Sequence, residues 1–215
     1  GPLTYAQFGE DLILLNLFHQ LGIARPSYLD IGAHHPLHCS NTALLYARGA
    51  RGVCVEANPN LIAAFAELRP EDAILNLGVG PRAGTLDFFM IDDWSGRNTF
   101  DRATAEAFVA AHPAFAIRQV RPIPVVTLDE VVQRHCGGAW PDLLSLDTEG
   151  LDQAILDASA LREGAGPSLI CVEAVSGDDQ DQGPQIGRLL AARGYHPAMR
   201  TAGNSIWSHR PLNAG

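Results

Sequence analysis

The chain of 215 residues is 47% hydrophobic and 18% charged, a size and balance that suit one α/β domain with a sizeable core. Its 15 basic and 24 acidic residues leave a net charge of −9, which argues against nucleic acid or an anionic membrane as the main partner, since both select basic surfaces. No apolar run approaches the ~20 residues that span a bilayer, no basic and apolar leader opens the chain, and four scattered cysteines (Cys39, Cys54, Cys136, Cys171) without a Cys-x-x-Cys pair point to a reducing, cytoplasmic setting.

Gly1-Pro2 reads as a protease remnant and is set aside. Residues 7–21 place Leu14, Leu17, Phe18 and Leu21 at helical spacing. Glu10 and Asp11 fall in its first turn, where carboxylates favour the positive helix end, and a solvated face is one reading of them. Tyr28-Leu29-Asp30-Ile31 is a short apolar strand stopped by Gly32, and Ser40 caps a helix through Thr42–Ala47 that Gly49 ends. Gly52–Val55 is a second strand with Glu56 at its carboxyl end. This β-α-β unit predicts a parallel pair with a right-handed crossover. Ligands of open α/β sheets sit outside the carboxyl ends of the strands, which gathers Asp30, Gly32, His34, His35 and Glu56 around one crevice.

Asn58 or Asn60 caps a helix through Leu61, Ile62, Phe65 and Leu68 that Pro70 stops, and Ala73–Leu77 reads as a third strand closed by Gly78–Pro81. Residues 84–126 exceed a minimal α/β alternation: a strand over 85–91, a polar stretch over 92–102, a helix over 103–111, and a strand over 117–126. Pro122 and Pro124 predict an edge position for that last strand. An insertion of this size suits an acceptor-binding flap, with Trp94, Asn98, Phe100 and Arg102 as contacts for a hydroxylated ligand. Thr127 and Glu130 form a capping-box pattern for the next helix. Leu143–Leu146 is a fourth strand running into Asp147-Thr148-Glu149-Gly150, which in a doubly wound sheet lies across the switch point from the first strand. A fifth strand ends in Glu173, the acid-rich segment 177–183 reads as a solvated loop, and Pro184 opens a helix that Gly194 closes. Residues 195–200 and 205–208 form a terminal strand pair about Gly203-Asn204.

The crevice has no phosphate cradle. A dinucleotide fingerprint needs two glycines after Gly32, and His34 and Leu37 hold those positions. Glu56 nevertheless stands where a carboxylate accepts both hydroxyls of a ribose. A ribose binder without a pyrophosphate contact points to S-adenosylmethionine. The sequence resembles the FkbM family of class I methyltransferases in four stretches: YAQFGEDLIL (5–14), YLDIGAHHP with SNT (28–42), VTLDEV (126–131) and DLLSLDTEGLD (142–152). The His34-His35-Pro36 run departs from the plainer turn of many relatives.

The resemblance implies a single domain over 3–215, Rossmann-like, with a mostly parallel seven-stranded sheet, helices on both faces and one antiparallel strand in the terminal pair. It implies that residues 3–26 cover the cofactor mouth, with Gln7 and Glu10 near it. The turn Asp30, Gly32, Ala33 would back the methionine part, Glu56-Ala57 the ribose, Asn76 and Leu77 the adenine, and Asp147 the reactive end. The expected reaction is O-methylation of a sugar, glycan or polyketide-type hydroxyl. Two ways of activating that hydroxyl stay open. One is a histidine base, His34 or His35, with Asp147 or Glu149 beside it. The other is Mg²⁺ or Mn²⁺ held by Asp147 and Glu173. The rival readings are an NAD(P)-dependent oxidoreductase, opposed by the missing glycines, and a non-catalytic nucleoside-binding module, which would not require the acids at strands four and five. A zinc site at His34, His35 and His38 is opposed by its place in a turn. There is no Gly-x-Ser-x-Gly elbow or Walker A loop, and the oligomeric state is left open.

Overall fold

A computed structural model of the chain describes residues 3–174 and 182–213. In chain order its first half holds α1 (Glu10–Gln20), β1 (Tyr28–Ile31), α2 (Ala43–Ala47), β2 (Gly52–Val55), a 3-10 turn (Pro59–Leu61) running into α3 (Ile62–Leu68), β3 (Ala73–Leu75), β4 (Gly78–Val79) and β5 (Gly84–Met90). The second half holds α4 (Arg102–Ala111), β6 (Gln119–Val126), α5 (Leu128–His135), β7 (Leu143–Leu146), α6 (Asp152–Ala158), β8 (Leu169–Glu173), α7 (Gly183–Ala192), β9 (His196–Arg200) and β10 (Asn204–Ser208). The main sheet has seven strands in the order β3-β2-β1-β7-β8-β10-β9. Its first five strands are mutually parallel, and β10 runs antiparallel to both β8 and β9. The order reverses between β1 and β7, which opens the crevice at their carboxyl ends.

Two apolar clusters cover the two faces of the sheet, and the strands alternate between them. Leu29, Ile31, Val53, Val55, Leu144 and Ile170 pack against α5, α6 and α7. Tyr28, Cys54, Leu143, Leu169 and Cys171 pack with Leu14, Leu17 and Phe18 of α1, Leu45 of α2 and Phe65 of α3. Because both faces are covered, the central strands are buried along nearly their whole length. Among the described residues no helix is long and apolar enough to cross a membrane.

Several local expectations change. Helix α1 starts at Glu10, because Gly9 takes a left-handed conformation (φ 79°) and holds Gln7 and Phe8 outside the helix. Glu10 and Asp11 are fully buried, not solvated. The third strand ends at Leu75, and Gly78–Val79 is not a closing turn but a strand of a second sheet, ordered β4-β6-β5. Strand β6 is therefore central there. Its prolines are tolerated because β4 pairs only with Val125 and Val126, leaving the Pro122 and Pro124 stretch with β5 as its one neighbour. Only half of the capping box at α5 forms: Thr127 accepts from Glu130 N at 3.2 Å, while the Glu130 carboxylate pairs with Arg134 at 2.9 Å. The solvated-loop reading of 177–181 lies outside the described residues.

A polar knot is buried beneath the first crossover. Arg69 and Asp72 pair at 2.6 Å with side chains 0% and 1% exposed. The guanidinium also donates to Pro36 O (3.2 Å), Ser40 Oγ (3.4 Å), Thr42 Oγ1 (3.0 Å) and the Tyr28 hydroxyl (3.1 Å). Asp72 accepts from Tyr28 OH at 2.7 Å and from Gly52 N at 2.9 Å. One ion pair thus joins β1, β2 and the loop between β1 and α2. Removing one partner of a buried pair strands the other charge, so Arg69→Met should destabilise the fold by about 3–5 kcal/mol in chemical denaturation. Arg51→Met, at the exposed pair with Glu71, should change stability little.

Candidate active site

The carboxyl ends of β1, β2, β7 and β8 open into a cavity of about 540 Å³, within the range of small-molecule sites. Gly32 makes the floor possible. Its φ is +73°, and a Cβ there would collide with the Asp147 carbonyl oxygen, so the turn after β1 lies directly on the end of β7. The N–H groups of Gly32 and Ala33 both donate to Val55 O, at 2.9 and 3.1 Å, tying the turn to β2 as well.

Glu56 stands at one side of the cavity, 7% exposed. Its Oε1 accepts from His34 N at 2.8 Å and its Oε2 from Asn58 N at 2.7 Å. These two amides fix the carboxylate plane and leave each oxygen a free lone pair towards the cavity. Burial raises its pKa, and the two amide bonds work against that rise. Asn76 sits behind, donating to the carbonyls of Glu56 (3.0 Å) and Ala57 (3.1 Å), and is not in the cavity wall, whereas Ala57 and Leu77 are.

The other side is acidic. One carboxylate oxygen from each of Asp147, Glu149 and Glu173 falls within 4.8 Å of the others. Asp147 Oδ1 is buried and has no hydrogen-bond partner among the described residues. Glu149 adopts a left-handed backbone (φ 52°) that an L-residue rarely takes, and Thr99 Oγ1 holds its carbonyl at 2.6 Å. Asp152 anchors the turn from below, accepting from Thr148 N at 2.8 Å and Thr148 Oγ1 at 2.6 Å. Burial and then mutual repulsion push Glu173 up to about 11, Glu149 to about 9 and Asp152 to about 7, and burial raises Asp147 too. Arg97, 3.8 Å from Glu149 Oε2, offsets part of the repulsion.

Not every expected residue reaches this cavity. Gln7, Gly32, His34 and Asp147 line it, while Glu10, Asp30, Ala33 and His35 do not. Asp30 faces the sheet side opposite and accepts from Thr42 Oγ1 at 2.6 Å. Glu10 accepts from Thr201 Oγ1 (2.6 Å) and Asn204 Nδ2 (2.9 Å), tying α1 to the turn between β9 and β10. His35 Nδ1 accepts from the amides of Leu37 and His38, both at 3.1 Å. His34 Nε2 lies 2.7 Å from the Trp94 carbonyl, which only accepts, so that nitrogen carries the proton. In the insertion, Phe100 and Asn98 line the cavity, Trp94 is 61% exposed outside it, and Arg102 pairs with Glu106. The histidines form no metal cluster among the described residues. Sequence reasoning missed Asn41, Arg97 and Asn204 in the wall; only Asn41, within the SNT stretch, had a motif to mark it.

A parallel sheet of this order, with one antiparallel strand next to last and an acid closing β2, defines a class I methyltransferase domain. Residues 30–197 match the methyltransferase FkbM domain, and the chain belongs to that S-adenosylmethionine-dependent family. The FkbM methyltransferase of Methylobacillus flagellatus KT has a similar fold, with a TM-score of 0.53 at 14% identity over 86% of this chain; the chain spans 44% of that protein. Precorrin-6y C5,15-methyltransferase from Geobacter metallireducens GS-15 (TM-score 0.45, 12% identity, 96% of this chain and 91% of that one) is too distant to bear on function. So is a putative O-methyltransferase from Klebsiella pneumoniae (0.43, 12%, 96% and 82%). No curated protein matches the sequence.

The raised acids make a stability prediction. Each binds its proton more tightly in the folded chain than in the unfolded one. Their contribution is complete below the unfolded values near ~4 and is lost as pH rises through the folded values, about 7 for Asp152 and about 9 for Glu149. In chelator, the melting temperature should fall between pH 5 and 9, and Glu149→Gln should flatten that fall. Parallel curves for the two proteins would show that Glu149 is not strained by its charge.

Proposed function

We propose that the chain transfers the methyl group of S-adenosylmethionine to a hydroxyl of a sugar, glycan or polyketide-type acceptor. The observation that carries this reading is one cavity with Glu56 fixed on one side and three carboxylates on the other. Glu56 accepts the ribose hydroxyls through its two free lone pairs. Gly32 and the end of β7 back the methionine part, Leu77 borders the adenine, and Gln7 stands at the mouth. The acceptor enters beneath the segment 84–126, which supplies Phe88, Phe100 and the 95–98 stretch to the wall. The acceptor oxygen bonds to the methyl carbon as the carbon–sulfur bond breaks, and alignment of the two supplies much of the rate.

Asp147, Glu149 and Glu173 fit a hard divalent cation, Mg²⁺ or Mn²⁺: three oxygen ligands converge, and one buried oxygen has no partner among the described residues. Such a cation lowers the pKa of a hydroxyl beside it. With such a cation bound, the carboxylates would be its ligands and would orient the acceptor hydroxyl, whose proton leaves to solvent. The alternative histidine base has less support, because His34 Nε2 is committed to Trp94 and His35 lies outside the cavity wall.

Three measurements test the proposal. Glu56→Ala should weaken S-adenosylmethionine binding by about 1.5–3 kcal/mol, tenfold or more, in isothermal titration, with a thermal melt to verify folding. Parent-like affinity would remove Glu56 from the ribose site. A screen of hydroxylated acceptors with labelled cofactor should give activity that chelator abolishes and Mg²⁺ or Mn²⁺ restores. Asp147→Asn should lose both that activity and Mn²⁺ binding seen by electron paramagnetic resonance. Activity indifferent to chelator would exclude the cation.

A further inference from the structure

The loop from Asp92 to Asn98 is braced against the ribose side of the cavity. Asn58 Nδ2 and Asn60 Nδ2 donate to the Asp93 carbonyl at 2.8 and 3.1 Å, and His34 Nε2 donates to the Trp94 carbonyl at 2.7 Å. Asn98 closes the loop on itself, accepting from Ile91 N at 2.8 Å and donating to Asp92 O at 2.9 Å. These bonds engage the side chain of Asn98 and the carbonyls of Asp92, Asp93 and Trp94. What the loop still offers the cavity with strong donors is the side chain of Arg97.

Arg97 is the one arginine in the cavity wall among the described residues, and its side chain is 46% exposed. Its ion-pair partner, Glu149 Oε2, stands at 3.8 Å, beyond hydrogen-bond reach. The guanidinium carbon lies 5.6 Å over the Phe108 ring of α4, which steadies the plane without consuming an N–H. A guanidinium presents its donors in a planar fork that matches a carboxylate or a phosphate. Here that fork is held on a braced loop, facing a cavity whose other charged groups are acids, so little ordering is left for binding to supply.

We infer that Arg97 is a specificity-determining residue that binds an anionic group, a carboxylate or a phosphate, on the acceptor. Because Glu149 belongs to the acidic cluster, the anionic group lies within a few bonds of the hydroxyl that is methylated. The inference deepens the methyltransferase reading and rests on it for the role of the cavity. Neutral polyols lack the group that the guanidinium selects.

The test is isothermal titration with glucuronate, glucose 6-phosphate and glucose at low salt, with and without S-adenosylhomocysteine. Both anions, or one of them, should bind at least tenfold more tightly than glucose, and whichever binds more tightly identifies the source of the charge. Arg97→Gln should abolish that preference, and Arg97→Lys should restore part of it; as Arg97 is half-exposed, both variants should melt like the parent. Equal binding of glucose, no binding of either anion, or an unchanged preference in Arg97→Gln would overturn the inference. If S-adenosylhomocysteine fails to bind the parent while the anion preference still depends on Arg97, the methyltransferase reading falls and the anion site stands.

Discussion

The buried pair of Arg69 and Asp72 is the constraint from which the rest of the pocket follows. Its charges are out of water, so they persist only because nearly every donor and lone pair is used. The guanidinium spends those donors on the loop between β1 and α2, at Pro36, Ser40 and Thr42. The carboxylate spends its oxygens on Tyr28 and Gly52, the first residues of β1 and β2. The path of the three-histidine turn is set from underneath by this network. Once that path is set, His34 N falls on Glu56, and that carboxylate acquires its orientation.

The opposite side of the cavity is built on a conflict. Three carboxylates are brought together where burial disfavours their charge, and one of them, Glu149, sits in an unfavourable backbone conformation. Neighbours over-determine the turn: Thr99 holds the Glu149 carbonyl and Asp152 holds Thr148. Strain and repulsion are gathered in one turn and held there by bonds from several elements. A turn with only a structural task would gain stability from amides in place of these acids.

The insertion completes the pocket by a different principle. Strands β5 and β6 with β4 make a small sheet of their own, so the wall they carry does not depend on the main sheet for its backbone pairing. Its loop is joined to the Glu56 side by side-chain-to-carbonyl bonds from Asn58, Asn60 and His34. Two of these residues, His34 and Asn58, also hold the Glu56 carboxylate through their backbone amides. The Glu56 side of the cavity and the wall carried by the insertion therefore share their supports.

The sequence by itself determined the main sheet, because both of its faces are covered and each strand carries an apolar run, or alternation, bounded by Gly, Pro or a cap. It also placed Glu56, Asp147 and Glu173 at strand ends, since a strand's carboxyl end is a local property. Only the tertiary structure decided which of these groups face one another. Asp30 and Ile31 are neighbours in sequence, yet the two-residue period of a strand sends Asp30 towards Thr42 and Ile31 to the cavity side. Glu10, for which the sequence leaves a solvated face and a place near the cofactor mouth both open, is buried by the turn between β9 and β10, nearly two hundred positions away. Gly78–Val79 looked like a turn because a two-residue strand has no periodicity, and β6 gave it a partner. Arg69 carried no motif at all. Its role exists only where Tyr28, Pro36, Thr42 and Asp72 converge, and convergence of that kind arises from long-range packing that local spacing does not encode.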